Sequence, residues 1–438
     1  MDEVPESGAS PEPPSKPLPW RAVALAGLLI VGGAVALVLA ERSTHHPAAP
    51  AGRSAKTFAR TPVSVRISST LPDWLAPGAP IVVTGWTSPN VRVALVLAGR
   101  RVGVVRAGSR GRFVLAGVTG RSGNADVLVR AGGRDFPVGK LVVRPIRIAA
   151  VGDVTPGEGV SDAVTSGSRA ASYAWAGVGR LLRSADIATA NLEGAIAAKG
   201  DPVPNKEYHF RGSQKFLRGS VTAGGLDVVT VANNHSLDFG RPGLLATLRA
   251  VRAVHLRSVG GGANLAQARR PVVLVVGGLR VALLGYSDIR PAGFDAGPSS
   301  PGATPAEPSL IEADVARARK HADVVVVWFH WGVERAVIPD ARQRLFAKTA
   351  LAAGASLVLG AHPHVLQPLQ RKGHTLVAWS LGNFVFPSGG ASTRTGVLLV
   401  GLDARGVSGA KLVPATIHGY RPVLNQPVKL ERAWAFAK

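Results

Sequence analysis

Six short polar motifs between residues 152 and 383 contain the side chains that most often bind divalent metal ions or transfer protons. Each motif ends, or directly follows, an apolar run that predicts a buried strand. Taken alone, each one also suits a turn or a helix cap. Because all six stand at strand ends in one stretch of chain, chance placement is the poorer explanation. The motifs are Gly152-Asp153, Asn191-Leu192-Glu193, Asn233-Asn234-His235 with Asp238 and Gly240, His330-Trp331-Gly332 with Glu334, His362-Pro363-His364, and Ser380-Leu381-Gly382-Asn383.

Together the motifs offer carboxylate, amide and imidazole donors, which are the ligands that hard or borderline divalent cations prefer. The chain contains no cysteine, so any metal must be held by nitrogen and oxygen atoms. We therefore predict a divalent metal site with one or two ions of Mn, Fe or Zn. A carboxylate between two cations about 3.5–4 Å apart would support in-line attack at a phosphoryl centre, with a histidine as general acid. The predicted ligands are Asp153, Glu193, Asn234, His330, His362 and His364.

From residue 146 onward, apolar runs alternate with segments of helical period, which is typical of a layered α/β domain. Such domains bind ligands at the carboxyl ends of their strands, where the polar motifs stand. The predicted helices cover 170–184, 241–254, 310–320 and 340–353. The predicted strands are IRIAAV (146–151), DIATAN (186–191), DVVTVAN (227–233), RVALLGY (280–286), DVVVVWFH (323–330), SLVLGAH (356–362) and LVAWSLG (376–382).

Residues 61–145 show a different sequence pattern, in which short apolar runs are separated by Gly, Pro, Asn or Ser and no helical period is present. Several short strands at this spacing predict a small all-β sandwich of immunoglobulin-like type. No catalytic cluster falls within it, so we expect a spacer or a binding module.

The N-terminal sixty residues predict a tail, a membrane anchor and a linker. Residues 1–21 are rich in Pro, Ser and Glu and should form a disordered cytoplasmic tail. Residues 22–40 carry no charge, and at about 1.5 Å per residue they approach the ~30 Å of a bilayer core, which predicts an uncleaved transmembrane signal anchor. Residues 41–60 should form a linker. Basic residues flank the anchor on both sides, so charge alone leaves its orientation open.

The chain is strongly basic. Its formal net charge of +24, from 51 Lys+Arg against 27 Asp+Glu, attracts polyanions such as nucleic acid, anionic lipid or an acidic polymer. Aromatic residues make up only 5%, and there is no RNP-like motif or zinc finger, so we do not expect nucleic acid as a partner. A surface of solvated arginines is the alternative explanation of the charge.

The order of the motifs resembles that of one known family. The elements GD, NLE, ANNHSLDFG, FHWGVE, GAHPHVLQP and SLGNFVF follow one another between residues 147 and 387, with Tyr208-His209-Phe210-Arg211 and Gly261-Gly262-Ala263-Asn264 among them. This pattern closely resembles the CapA family of poly-γ-glutamate capsule synthesis proteins, whose domain is related to the calcineurin-like metallophosphoesterases. The resemblance implies a layered αββα domain of that type over residues 146–438.

The resemblance also implies individual roles. Asp153 resembles the aspartate of the superfamily's Asp-x-His element, but Thr155 stands where that element has its first histidine ligand. Glu193 looks like the replacement for the bridging aspartate, whereas Asn234 and His235 match the Asn-His pair as ligand and general acid. The missing histidine leaves one tightly bound ion, or one strong and one weak site, equally open. The remaining metal histidines match His330, His362 and His364.

Three further side chains near these motifs are candidate site residues. Asp238 would orient the His235 loop, and Glu334 would support His330 from outside the ligand set. Arg211 could clamp a carboxylate or a phosphate, although a surface ion pair is the alternative for a lone arginine. We thus predict His235, Asp238 and Arg211 as catalytic residues.

The resemblance implies a role in making, exporting or retaining an anionic polymer such as poly-γ-glutamate, with polymer synthase or export subunits as further partners. It also implies a single-pass location in the cell membrane, with the N-terminal helix in the membrane and the C-terminal domains extracytoplasmic. Two hypotheses follow. The chain is either a metal-dependent hydrolase of a phosphoester or related bond, or a non-catalytic polyanion-binding scaffold with a vestigial metal site.

Overall fold

An all-β part and a mixed α/β part follow one another along the chain. The computed structural model describes residues 63–157, 159–165 and 171–436, and these residues belong to one compact unit. The all-β part covers 66–143, and the α/β part begins at Ile146. The mixed α/β fold that the sequence predicts is therefore confirmed.

The all-β part consists of two small sheets whose inner faces share one apolar core. Buried residues alternate with more exposed ones along the strands at 80–86 and 123–131, as the two-residue period of a half-buried strand requires. Its strands are β1 (Arg66–Ile67), β2 (Trp74–Leu75), β3 (Pro80–Trp86), β4 (Arg92–Leu97), β5 (Arg100–Arg106), β6 (Arg112–Val118), β7 (Gly123–Ala131) and β8 (Arg134–Val143). The strand orders are β1-β3-β6 and β2-β8-β7-β4-β5.

The α/β part contains two large sheets, one of eight strands and one of six. Its strands are β9 (Ile146–Val154), β10 (Ile187–Leu192), β11 (Ala195–Ile196), β12 (Arg211–Gly212), β13 (Val228–Thr230), β14 (Arg257–Val259), β15 (Gly261–Gly262), β16 (Val272–Val276), β17 (Leu279–Ser287), β18 (Gly302–Ala303), β19 (Val324–His330), β20 (Leu357–Ala361), β21 (Leu369–Lys372), β22 (Thr375–Ala378), β23 (Asn383–Val385), β24 (Arg394–Asp403), β25 (Gly406–His418) and β26 (Arg421–Leu424). The eight-stranded sheet has the order β14-β13-β10-β9-β24-β25-β26, with β23 also paired to β9. The six-stranded sheet has the order β16-β17-β19-β20-β22-β21, and β17, β19, β20 and β22 run parallel.

Helices flank the two large sheets. They are α1 (Val160–Thr165), α2 (Gly179–Leu182), α3 (Gln214–Thr222), α4 (Gly240–Ala253), α5 (Leu265–Ala268), α6 (Pro308–Arg319), α7 (Ala341–Ala352) and α8 (Leu430–Ala433), with short 3-10 turns at Tyr173–Trp175 and Gly390–Thr393. The helices expected at 241–254, 310–320 and 340–353 form as α4, α6 and α7.

The long helix expected at 170–184 does not form in the described residues, which contain only one 3-10 turn and α2 there. Two glycines explain the difference, because neighbouring backbone approaches them closely. A Cβ added to Gly177 would lie 2.6 Å from the carbonyl oxygen of Pro422, and one added to Gly179 would lie 2.1 Å from that of Ala223. The chain therefore packs here through glycine rather than through a continuous helix.

The two large sheets pack face to face, and the helices cover their outer faces. Ile148 of β9 and Val326 of β19 belong to one apolar core between the sheets. The next residue along each strand points the other way, as a two-residue period requires. Ala149 packs with the helices on the eight-stranded sheet, and Val327 packs with α6 and α7 on the six-stranded sheet. The α/β part is therefore layered as helix, sheet, sheet, helix.

The predicted location in the cell membrane needs correction. The expected tail (1–21), signal anchor (22–40) and linker (41–60) lie outside the described residues. Within the described part of the chain, no helix is long and apolar enough to cross a membrane. The longest of these helices, Gly240–Ala253, has 14 residues, whereas a membrane span needs about 20 apolar residues. The predicted single-pass anchoring therefore has no support in the structure.

One arginine joins the all-β part to the α/β part. The Arg144 guanidinium lies 3.5 Å from the ring centroid of Trp74 and donates two hydrogen bonds of 2.7 and 2.8 Å to Asp186. Asp186 also accepts the Arg147 backbone N–H at 2.8 Å. The Arg144 and Asp186 side chains are only 22% and 16% exposed. This partly desolvated pair should therefore contribute more to stability than a surface ion pair does.

We predict that Arg144→Met lowers the free energy of unfolding by about 1.5–3 kcal/mol, because Asp186 keeps its partly buried position but loses its charged partner. The matched control is Arg130→Met, which breaks an equally bidentate pair with Asp135 whose side chains are 53% and 38% exposed. This variant should lose clearly less stability than Arg144→Met, because solvent screens a surface ion pair. Urea unfolding of the full chain, followed by circular dichroism, measures both. If both variants lost the same free energy of unfolding, the Arg144–Asp186 pair would stabilise the chain no more than a surface ion pair does, which would contradict the prediction.

Candidate metal centre

Parallel strands carry the expected metal ligands to one end of the two facing sheets. Asp153 lies at the end of β9, His330 is the last residue of β19, and Glu193 and His362 directly follow β10 and β20. One donor atom each from Asp153, Glu193 and His330 falls within 4.8 Å of the others, and all three residues are completely buried. The carboxyl ends of parallel strands are where open α/β sheets present functional side chains. The fold therefore concentrates metal-binding donors where the sequence predicts them.

Asp153 lies at a break in the sheet register. The pairing of β9 with β10, and that of β9 with β23, shifts by one residue beside Asp153. Gly152 lies at this break, and a Cβ added there would be 1.8 Å from the carbonyl oxygen of Gly382. Such irregularities redirect side chains next to functional sites. The glycine of the Gly-Asp motif thus allows β23 to approach while Asp153 turns into the cluster.

Asn191 links the buried ligands to one another. Its Nδ2 lies 2.8 Å from Asp153 Oδ1, 3.4 Å from Glu193 Oε2 and 3.2 Å from His330 Nδ1. Its Oδ1 accepts a hydrogen bond of 3.0 Å from Asn233. The sequence motifs contain both asparagines, but the predicted ligand set omits them. The two-residue spacing of Asn191 and Glu193 could have indicated that Asn191 lies beside the ligands, because residues two apart on a strand share one face.

The Glu193 carboxylate is buried with one unsatisfied oxygen. Its Oε1 has no hydrogen-bond partner among the described residues. The Nε2 atoms of His235, His330 and His364 lie 3.9, 3.9 and 4.0 Å from that oxygen. Burial, and then the negative charge of Asp153, raises the pKa of Glu193 well above its ordinary value. A buried carboxylate oxygen facing three imidazole nitrogens is the environment that a divalent cation would satisfy.

His362 and His364 reach the cluster from a strained loop. Their φ angles are 95° and 59°, in the left-handed region that residues other than glycine mostly avoid. The His362 backbone N–H donates to Asp153 Oδ2 at 3.2 Å, whereas its side-chain Nδ1 is buried without a partner among the described residues. His364 Nδ1 lies 2.7 Å from Asn383 Oδ1 and 3.4 Å from Asp153 Oδ2. Strain of this kind concentrates at functional sites, where the surrounding contacts maintain it.

Burial and neighbouring charges shift the protonation of the ligand histidines in different directions. Burial, and then the neighbouring imidazoles of His362 and His364, which repel a second positive charge when protonated, lower the pKa of His330 well below its ordinary value. Burial and the charge of His364 lower the pKa of His362 to about 3. Burial also opposes protonation of His364, but Glu193 and Asp153 outweigh it and raise its pKa to about 10. His330 and His362 are therefore neutral near pH 7, which is the state in which an imidazole can coordinate a cation.

His235 forms a second polar group beside the metal ligands. Its Nδ1 lies 2.8 Å from Asp238 Oδ2, and Lys206 Nζ lies 2.5 Å from Asp238 Oδ1 and 2.7 Å from His235 Nδ1. The Phe210 ring stacks on the imidazole with a centroid separation of 3.9 Å. Burial lowers the pKa of His235 although Asp238 opposes the shift. Since Nδ1 is engaged, the Nε2 atom is the one that faces Glu193.

Lys206 and Phe210 were not predicted as site residues. Lys206 lies in the loop between β11 and β12, outside the six motifs, and its contact with Asp238 spans 32 residues of sequence. Phe210 belongs to the Tyr208–Arg211 element, but the identity of an aromatic residue does not indicate which side chain it stacks on. No signal in the sequence would have placed either side chain beside His235.

Two other predicted site residues occupy different positions. Asn234 belongs to the cluster, because its Oδ1 lies 2.8 Å from His330 Nε2. The exposed Arg211 instead donates to the carbonyl oxygen of Gly200 at 3.0 Å and lies 4.2 Å from the ring centroid of Phe239. The structure therefore brings together every predicted ligand and the His235–Asp238 pair, but it does not bring Arg211 to them.

Comparison with known proteins gives one consistent assignment. The family model described as "Bacterial capsule synthesis protein PGA_cap" matches residues 147–388. "PGA biosynthesis protein CapA" of Bacillus subtilis (strain 168) is 34% identical over 252 residues, which cover 57% of this chain and 65% of that protein. "Capsule biosynthesis protein CapA" of Bacillus anthracis is 31% identical over 261 residues, which cover 58% of this chain and 63% of that protein. The matched stretch thus spans less than two thirds of either relative.

A solved structure shows a weaker likeness. The 5'-nucleotidase precursor from Thermus thermophilus aligns with a TM-score of 0.34 and 16% sequence identity, covering 64% of this chain and 54% of that chain. A likeness at this level does not bear on function, so the chemistry of the centre has to be derived from its own residues.

We predict that cation binding to this centre weakens as the pH falls. The raised pKa of about 10 means that His364 holds a proton in the cation-free chain near pH 7. Ligands bind metal only after losing their protons, so affinity should fall about tenfold per pH unit for each proton displaced. Calorimetric titration of Mn²⁺ into the chelator-treated full chain at pH 6, 7 and 8, in buffers of different ionisation enthalpy, measures affinity and proton release. A pH-independent affinity without proton release would contradict the assigned ligands.

Proposed function

The chain belongs to the PGA_cap family of bacterial capsule synthesis proteins, and we propose that it is an accessory protein in the synthesis or export of an anionic capsule polymer of the poly-γ-glutamate type. Its part in that process would be metal-dependent hydrolysis of a phosphoester or related bond. The names of the two Bacillus relatives support the capsule role. The matched stretch, residues 147–388, holds every residue of the candidate metal centre.

The observation that carries the hydrolytic part is the unsatisfied Oε1 of Glu193. It is buried, it has no hydrogen-bond partner among the described residues, and three imidazole Nε2 atoms surround it at 3.9–4.0 Å. Nitrogen and oxygen donors in this number suit Mn, Fe or Zn. Two facing sheets with the centre at their strand ends also agree with a calcineurin-like metallophosphoesterase architecture. Asp153, Glu193, Asn234, His330, His362 and His364 would hold the cation or cations.

A bound divalent cation would supply Lewis-acid polarisation of a phosphoryl oxygen. The chain itself supplies a proton-transfer group in His235. Asp238 engages Nδ1, so Nε2 is left to exchange a proton with the leaving or attacking oxygen of a substrate. Phe210 stacks on the ring and keeps water from that face. Asp238 itself is fixed by the Phe210 N–H, at 2.6 Å, and by Lys206.

A second function, polyanion binding without catalysis, has its own support. Thr155 stands where the resemblance expects a histidine ligand, and its Oγ1 accepts the Gly157 N–H at 3.1 Å. That side chain closes a local turn and offers nothing to a cation. The net charge of +24 would attract a polymer of carboxylates whether or not catalysis is retained. In this account the chain holds polymer for the synthase or export subunits that assemble with it.

We predict that the purified full chain, loaded with Mn²⁺, Fe²⁺ or Zn²⁺, hydrolyses a generic aryl phosphodiester or phosphomonoester. His235→Ala should lower kcat about 10²- to 10⁴-fold, the usual contribution of a general acid or base, with metal content unchanged. His321→Ala is the matched control, because His321 is exposed and lies just after α6, outside every site motif. Its activity should equal that of the parent. A metal-loaded parent chain without activity on either ester would contradict the hydrolytic proposal.

The polyanion-binding function makes a separate prediction. Fluorescently labelled poly-γ-glutamate should bind the chain with an affinity that falls steeply as salt is raised, because the attraction between separated charges is screened. Glu193→Gln and His364→Gln should leave that affinity unchanged, since neither residue lies on the basic surface. Fluorescence anisotropy at low and high salt measures the affinity of the parent chain and of both variants for the polymer. Loss of binding in either variant, with folding intact by circular dichroism, would connect the polymer to the metal centre and contradict a purely electrostatic scaffold.

A further inference from the structure

We propose that Glu334 is a ligand of a second cation, which it binds together with His362 and His364 on the open side of the metal centre. One donor atom from each of these three residues lies within 4.8 Å of the others. The inference rests on the metal centre of the proposed function. The inference extends the proposed function in two ways. It assigns a ligand that the resemblance does not supply, and it separates a buried cation position from an accessible one.

The two groups of donors differ in their exposure. Asp153, Glu193 and His330 are completely buried. In the second group Glu334 is exposed, His362 is buried and His364 is intermediate. Ligands of one cation bound at about 2.0–2.2 Å lie roughly 3–4 Å from one another, so small side-chain movements would bring either group to coordination distance. The two groups therefore correspond to an inner and an outer cation position.

The loop that carries Glu334 is fastened to the loop that carries the two histidines. The Arg335 backbone N–H donates to the carbonyl oxygen of Pro363 at 2.8 Å, between His362 and His364 in sequence. One residue further on, the carbonyl oxygen of Ala336 accepts a 2.8 Å hydrogen bond from Gln367 Nε2. The position of the Glu334 backbone next to the histidines is thus set by bonds on its C-terminal side.

The side chain of Gln367 is itself fixed, because its Oε1 accepts a 2.9 Å hydrogen bond from Gln343 Nε2. Gln343 belongs to the capping box at the start of α7, where Asp340 is the cap. Both glutamines are buried. A rigid helix end therefore supports the connection between the two loops, as pre-organised ligand sets require.

The backbone of this region is held in uncommon conformations. Arg335, His362 and His364 all have positive φ angles, of 62°, 95° and 59°. His362 Nδ1 is also buried without a hydrogen-bond partner among the described residues. Strained residues concentrate at functional sites, and the described residues provide no partner for the buried His362 Nδ1. A cation between Glu334 and the two histidines would be that partner.

The exposed Glu334 carboxylate is available to a cation. Three other acids, Asp135, Asp295 and Glu307, pair with arginine. Within the described residues, Glu334 forms no salt bridge with lysine or arginine. The metal-binding side chains grouped with it are those of His362 and His364. Thr155, where the resemblance expects the additional histidine ligand, uses its Oγ1 in a local turn, so that position supplies no imidazole to the centre.

A cleft leads to the outer position. It has a volume of about 390 Å³ and is lined by Glu334, Arg335, His364, Asn383 and Ser388, with neighbouring residues of the same loops. The inner position has no such opening among the described residues, since its three ligands are completely buried. The outer cation should therefore exchange more readily than the inner one and should be the one that first meets a substrate entering the cleft.

The test is the number of Mn²⁺ ions bound by the chelator-treated full chain, measured by equilibrium titration and by electron paramagnetic resonance. The parent chain should bind two ions of unequal affinity and give the spectrum of a magnetically coupled pair. Glu334→Gln should lose the weaker ion and give the spectrum of a single Mn²⁺, and Glu334→Asp should restore part of the weaker binding. Glu312→Gln, which changes an exposed glutamate on α6, is the matched control and should bind as the parent does.

The possible outcomes separate this inference from the function on which it rests. Two ions bound equally well by Glu334→Gln would overturn the assignment of Glu334. A single ion in both the parent and Glu334→Gln would also overturn it, while leaving a one-cation hydrolase intact. No ion in the parent chain would remove the metal centre itself and with it the hydrolytic function. Since Glu334 is exposed, the substitution should not disturb folding, and an unchanged thermal midpoint checks this.

Discussion

Two buried carboxylates, Asp153 and Glu193, impose the constraint that the rest of the centre satisfies. Burying an ionised carboxylate costs several kcal/mol unless it is paired and hydrogen-bonded. Within the described residues, neither side chain forms a salt bridge with lysine or arginine, and their partners are the Asn191 amide, the His362 N–H and the imidazoles. One oxygen of Glu193 keeps no partner there. The protein thus provides negative charge and imidazole nitrogens in one enclosed place, and a divalent cation that displaces the His364 proton completes the electrostatic balance.

The fold can maintain this arrangement because two sheets contribute to it from opposite sides. Trp328 in the six-stranded sheet donates a 3.0 Å hydrogen bond to Thr189 in the eight-stranded sheet, which fixes their relative position two residues before His330 and Asn191. The register break at Gly152 and the left-handed backbone at His362 then turn the remaining ligands inward. Both are locally unfavourable conformations, and the close packing of neighbouring strands keeps them in place.

The sequence allowed prediction of those features that depend on local pattern. Strand ends followed by Asp153, Glu193 or His330 could be identified because apolar runs and polar motifs alternate at short range, and α4, α6 and α7 could be identified from helical period. Contacts between residues that are far apart in sequence could not be predicted. The Lys206–Asp238 pair, the stack of Phe210 on His235 and the short α2 all depend on which backbone comes close in space, and Arg211 looked equally suitable until the structure placed it against Phe239.

Coordination of a divalent cation by Glu193 Oε1 can be tested with a crystal structure of the Mn²⁺-loaded chain and anomalous diffraction. We expect an anomalous peak within about 2.0–2.2 Å of Glu193 Oε1 and of a histidine Nε2, inside the cluster of Asp153, Glu193 and His330. An ordered cluster without any anomalous peak, in which a water molecule or a rotated side chain satisfies Glu193 Oε1, would contradict it.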